Sequence, residues 1–87
     1  MLAGCGKSIE EEALAAVSAK MFDPDAAMFR DVRQIGETTF CGEVNGKNRY
    51  GAYVGFTPFY AMKVVESWMV LTDSGETDVA THMCNGR

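Results

Sequence analysis

Apolar positions divide the chain into a helical opening, a long stretch of two-residue alternation and a short helical close. Ile9, Ala13, Leu14, Val17 and Met21 recur at helical spacing and predict one apolar stripe on a helix over 8–21. Ser8 suits the N-cap, and Glu11 three positions on completes a capping box. Glu10, Glu11 and Glu12 fall in the first turn, where the helix dipole favours negative charge. Asp23-Pro24-Asp25 ends this helix, because the residue before proline is driven out of the α region. Proline also suits a first helical position, so Asp23 is expected to cap a short turn over Ala26–Phe29 that sends Met28 and Phe29 into the core.

From Arg30 the period changes to two. Val32 and Ile35 mark one strand, and Gly36-Glu37 reads as a turn. Thr38–Asn45 is a second strand, with Phe40, Gly42 and Val44 on one face and Cys41, Glu43 and Asn45 on the other. Asn45-Gly46-Lys47-Asn48 is expected to turn tightly into a third strand over Tyr50–Phe56, whose Gly51 and Gly55 suggest bulges. Pro58 predicts an edge or a bend, followed by one or two further strands over Phe59–Val65 and Trp68–Thr72. After a turn at Asp73-Ser74-Gly75, Thr77 or Asp78 caps a terminal helix that should face Val79 and Met83 inward.

The expected fold is therefore α+β: an N-terminal helix and a short terminal helix packed on a 3–5-stranded antiparallel sheet, with both helices on one face. Residues 8–87 form the single domain, and 1–7 are the remnant of a lipoprotein signal or tether. Eighty-seven residues bury about 60–65% of the surface that the unfolded chain exposes, so the core is thin and a covalent staple helps. The net charge of −4, with eight scattered basic residues, argues against a nucleic-acid partner. No apolar run approaches the ~18 residues of a membrane span.

Leu2-Ala3-Gly4-Cys5 has the form of a lipobox, with small residues before a thiol that takes the lipid. Cys5 is accordingly the candidate lipidation site and the expected membrane attachment. Gly4-Cys5-Gly6-Lys7-Ser8 also resembles the end of a phosphate-binding loop, but Met1 stands where that motif needs glycine and no strand precedes it. With Cys5 assigned to lipid, Cys41 and Cys84 remain, and two thiols make one disulfide. In the chain-entropy model a closed loop of that size contributes about 3–4 kcal/mol. The alternative is a pair of buried free thiols in a reducing compartment.

Three stretches carry a family pattern: Asp23-Pro24-Asp25-x-Ala27-x-Phe29-x-x-Val32, Cys41-Gly42-x-Val44-Asn45-x-Lys47-Asn48 and Gly51-x-Tyr53-x-Gly55-Phe56-x-x-Phe59. Together they resemble a group of small exported bacterial proteins and lipoproteins. The resemblance departs at Ala26, Gly46 and Ala52, where the pattern has serine, alanine and glycine. It implies an exported location, a second cysteine near the C-terminal end and the fold above. It implies no reaction.

Catalytic chemistry finds few candidates. A Cys–His nucleophile needs a free thiolate beside a base, and the single histidine, His82, is next to a cysteine expected to be oxidised. Zinc needs three or more suitably spaced ligands, and the Asp23/Asp25 pair has no remainder of a calcium loop. No metal and no cofactor is expected. Glu43, Glu66 and Glu76 are carboxylates that folding could bring together. The strongest binding candidate is Asn45, Lys47, Asn48, Arg49, Tyr50 and Tyr53, an amide, cationic and aromatic group around a turn. Phe56–Tyr60, with three rings around Pro58, reads as core. The function expected is a non-enzymatic envelope domain, periplasmic or lipid-anchored, that binds an envelope protein or cell-wall component. The alternative is a small hydrolase, or an accessory subunit of an envelope enzyme, with a carboxylate site.

Overall fold

A computed structural model describes residues 8–73 and 78–85, the last by its backbone alone. Cys5, the Ser74-Gly75 turn, Glu76 and the proposed Thr77 cap lie outside the described residues. Helix α1 (Ile9–Ser18) begins with the expected reciprocal capping box: Ser8 Oγ accepts from the Glu11 amide, and Glu11 accepts from the Ser8 amide. Backbone bonds from Lys20 to Val17 and from Met21 to Ser18 tighten its end, stopping the regular helix short of Met21. A single 3-10 turn (Pro24–Ala26) leads into strand β1 (Met28–Gly36).

Strands β2 (Thr39–Asn45), β3 (Thr57–Val64) and β4 (Ser67–Thr72) follow, all antiparallel, in the spatial order β1-β2-β3-β4. Helix α2 (Val79–Asn85) closes the domain. The architecture is α+β, with four strands in the sheet among the described residues. The two helices do not share a face, contrary to the expected layering. In β2 and β3 apolar residues run through consecutive positions, as in strands covered on both sides. Phe40, Val44, Phe59 and Ala61 point to one face and bury Ala13 and Val17 of α1. Cys41 and Tyr60 point to the other and bury Ala80 of α2.

The Cys41–Cys84 disulfide fixes α2 on that second face, with the two Cα atoms 6.1 Å apart. It also sets the rotation of the helix. Cys84 must face the sheet, so Ala80 four residues earlier does too, and Val79 and Met83 turn outward rather than inward. Asp73, at the end of β4, supplies the N-terminal cap: its carboxylate accepts from the amides of Ala80 and Thr81 and from the Thr81 hydroxyl.

Several boundaries differ from expectation. Met28 belongs to β1 and is exposed, whereas Phe29 packs edge-on against Phe59 at 5.8 Å between ring centroids. Register breaks between Arg30 and Arg33 and between Gln34 and Gly36 twist β1, leaving Ile35 exposed. At the first break Asp31 adopts a φ of 55°, a left-handed conformation that aspartate tolerates better than most residues. Pro58 does not bend the chain; it lies inside β3. The Asp73 amide donates to the Pro58 carbonyl, so Pro58 directs its missing N–H toward β4, just past that strand's end, and costs the β2–β3 ladder nothing.

The expected strand over Tyr50–Phe56 is absent; residues 46–56 form an irregular connection between β2 and β3. Gly51 and Gly55 have φ values of 81° and 105°, which no strand accommodates. At the far end of the sheet, β3 and β4 are joined by Val65-Glu66, where Val65 has a φ of 60° and is 90% exposed.

Gly42 is the tightest point of the sheet. A Cβ there would stand 2.9 Å from Phe59 Cε2 and 3.0 Å from the Val32 Cα. Phe59 is fully buried and the Val32 contact is backbone, so neither can yield freely. Gly42→Ala is therefore expected to lower stability by about 1–3 kcal/mol. Chemical denaturation of the oxidised protein measures this, and a midpoint equal to that of the parent would show the space to be compliant.

Candidate recognition loop

Residues 46–56 are a loop organised by two asparagine side chains. Asn45 Oδ1 accepts from the Gly55 amide at 2.9 Å and closes the base. Asn48 Oδ1 accepts from the amides of Tyr50 at 2.9 Å and Ala52 at 3.2 Å. The Asn48 amide donates to the Ala52 carbonyl, the Gly51 amide to the Asn48 carbonyl, and the Val54 amide to the Gly46 carbonyl. Lys47 and Tyr53 meet as an isolated β-bridge. Side-chain acceptors have replaced the ladder partners that a strand would offer, which is why the alternating sequence does not become one.

The loop is also tied to the domain. The Tyr53 hydroxyl donates to the Ala26 carbonyl of the 3-10 turn at 3.1 Å, and the Lys47 ammonium sits 5.4 Å from the Tyr53 ring centroid. Met21 packs below: a side chain at Gly46 would meet its Sδ at 3.0 Å. Beside this base is a cleft of about 270 Å³ lined in part by Met21, Val54, Thr72 and Asp73.

The six residues singled out from the sequence thus gather in one loop but divide by role. Asn45 and Asn48 spend their amides on its backbone, and Lys47 and Tyr53 brace each other. Arg49 and Tyr50 stand at the exposed tip, Tyr50 with 85% of its surface accessible. Of the Phe56–Tyr60 aromatics, Phe59 and Tyr60 are buried, and Phe56 lies under the Arg30 guanidinium at 4.0 Å from its centroid.

Of the candidate carboxylates, Glu43 and Glu66 do not converge. Glu43 is ion-paired with Arg30 and sits opposite Pro58, whereas Glu66 lies beyond Val64 at the other end of β3. At strand rise that separates them by roughly 20 Å, wider than the ~5–9.5 Å of paired glycosidic carboxylates. His82 has only a disulfide sulfur near it in sequence, so no thiolate is available to it from Cys84. One feature escaped the sequence: a polar cleft of about 300 Å³ lined by Asp31, Arg33, Glu43, Pro58, Thr81 and Cys84. The β1 bulge opposite Gly42 helps shape it, and no local sequence signal marks a bulge that uses aspartate rather than glycine.

Compared with protein-family models, curated proteins and solved structures, the chain matches none.

Loss of the Asn48 acceptor leaves two amides to water and frees the tip. Asn48→Ala is expected to cost about 0.5–1.5 kcal/mol and to accelerate hydrogen exchange at Tyr50 and Ala52 while leaving the sheet amides unchanged. Unchanged exchange at both positions would show that the side chain does not order the loop.

Proposed function

We propose that this chain is a non-enzymatic binding domain of the bacterial envelope, periplasmic or lipid-anchored through Cys5, that meets an envelope protein or cell-wall component with the tip of the 46–56 loop. The observation that carries the reading is a loop fixed by its own asparagines and tied to the 3-10 turn, presenting Arg49 and an exposed Tyr50. Tyrosine and arginine are the residues most enriched in interface anchors. A loop ordered before contact loses less entropy on binding than one that must be immobilised. The disulfide supports an oxidising compartment, where such bonds persist. Within the acidic chain, Lys47 and Arg49 set a local positive charge suited to an acidic partner surface.

Two experiments test the reading. For the binding surface, the full chain is incubated with purified peptidoglycan and with periplasmic extract. Arg49→Ala/Tyr50→Ala is expected to weaken capture by roughly tenfold or more with the melting temperature unchanged. Undiminished capture by the folded double variant would remove the tip from consideration.

For location, the protein expressed with its natural upstream sequence should partition into detergent and carry acyl mass on Cys5. Cys5→Ser should return it to the aqueous phase. Aqueous partitioning of the unaltered protein would refute the anchor.

A further inference from the structure

The two halves of the disulfide are unequally shielded. Cys41 sits in the inner strand β2, among the residues buried beneath α2, and has no exposed surface. Cys84 is partly exposed and helps to line the polar cleft of about 300 Å³, with Asp31, Arg33, Glu43 and Thr81; Cys41 does not line it. A cleft of this volume lies within the range that small molecules occupy. Its charged and hydroxyl-bearing walls suit a hydrophilic solute. Thiol–disulfide exchange depends on which sulfur an incoming thiolate can reach. Here that sulfur belongs to Cys84.

From this asymmetry we infer that Cys84 is the site at which a low-molecular-weight thiol, of the cysteine or glutathione class, opens the bond, and that opening it releases α2 from a sheet that stays folded. The thiolate attacks the Cys84 sulfur through the cleft. The S–S bond breaks, and its electron pair leaves on the Cys41 sulfur, which takes a proton from water. The small thiol is then joined to Cys84 as a mixed disulfide. A second equivalent attacks that bond, departs as the oxidised form of the small thiol and leaves Cys84 as a thiol. The protein has then gained two electrons and two protons.

Release of α2 alone follows from the division of the core. No described residue of α2 belongs to the cluster of Ala13, Val17, Phe40, Val44, Phe59 and Ala61, or to the apolar residues packed against it. That cluster and the four-stranded ladder are complete without the helix. α2 is seven residues long, and isolated helices shorter than about 12–15 residues are marginal in water. Besides Cys84, only Ala80 is its fully buried contact with the sheet, and one methyl group is small against the entropy of ordering the segment. The Asp73 cap fastens the first turn and leaves the rest free. Once α2 departs, Tyr60, Met62 and Leu71 lose their cover. Cys84 also moves away from Cys41, which slows reclosure of the bond.

The test uses the full oxidised chain, with Cys5 blocked by alkylation, incubated with graded cysteine or glutathione, quenched in acid and mapped by mass spectrometry. The first product expected carries the small thiol on Cys84 and a free thiol at Cys41, and its rate of formation rises in proportion to thiol concentration. After full reduction, the Ala80, Thr81 and His82 amides should exchange about tenfold faster or more, while the β2 and β3 amides keep their protection. Trp68 packs on the α1 face beside Phe40, so its emission should not change. An adduct on Cys41 overturns the assignment of the sulfur. A rate independent of thiol concentration overturns attack on the folded protein, since unfolding would then limit the reaction. Protection of α2 that survives reduction, or sheet protection lost along with it, overturns the release.

Discussion

The Phe59 ring fills the space that a side chain at Gly42 would need, and the rest of the domain is arranged around that contact. Because the ring lies flush against the neighbouring strand, β1 and β2 can pass close to it, and Phe29 can meet its edge. Val17 and Ala13 then close over it from α1. The next residue, Tyr60, points the opposite way and begins a second, smaller cluster with Cys41 and Ala80. One dipeptide in a central strand therefore serves two cores. A chain this short has little apolar volume to distribute over both faces, and the smaller cluster is completed by a covalent bond in place of further side chains.

That division explains the proportions of the two helices. α1 carries a continuous apolar stripe and a full capping box, and it holds its place by packing, aided by an ion pair from Glu12 to Lys63 at 3.1 Å. α2 offers the sheet little besides Ala80 and Cys84. Its position comes from the long-range disulfide at one end and, at the other, from the Asp73 carboxylate a few residues before it. Such a helix is placed by its fastenings, which leaves its outer residues free of structural duty.

The sequence was legible wherever local chemistry and tertiary packing agreed. Ser8 and Glu11 announce α1, the alternation of Phe40 to Val44 announces β2, and the cysteine count points to the bond that forms. It misled where side chains compete with the backbone ladder. Tyr50–Phe56 alternates well enough for a strand, yet Asn45 and Asn48 capture its amides and two glycines take positive φ. Periodicity also misplaced the inward face of α2, because over two turns the constraint on Cys84 outweighs the pull of Val79 and Met83. The candidate binding residues fall in and beside one loop, but nothing in their order distinguished those that build it from those that it displays.

The disulfide spans 43 positions of sequence, and that interval contains the 46–56 loop, β3, β4 and most of α2. Exposed loop tips are where proteases usually cut first. A single cleavage within the 46–56 loop yields two fragments that stay covalently joined, with β2 on one and β3 on the other still paired across the sheet. A nicked molecule keeps its mass, apart from one added water, until a reductant separates the halves. While the disulfide is intact, cutting the exposed 46–56 loop therefore sets neither half of the domain adrift.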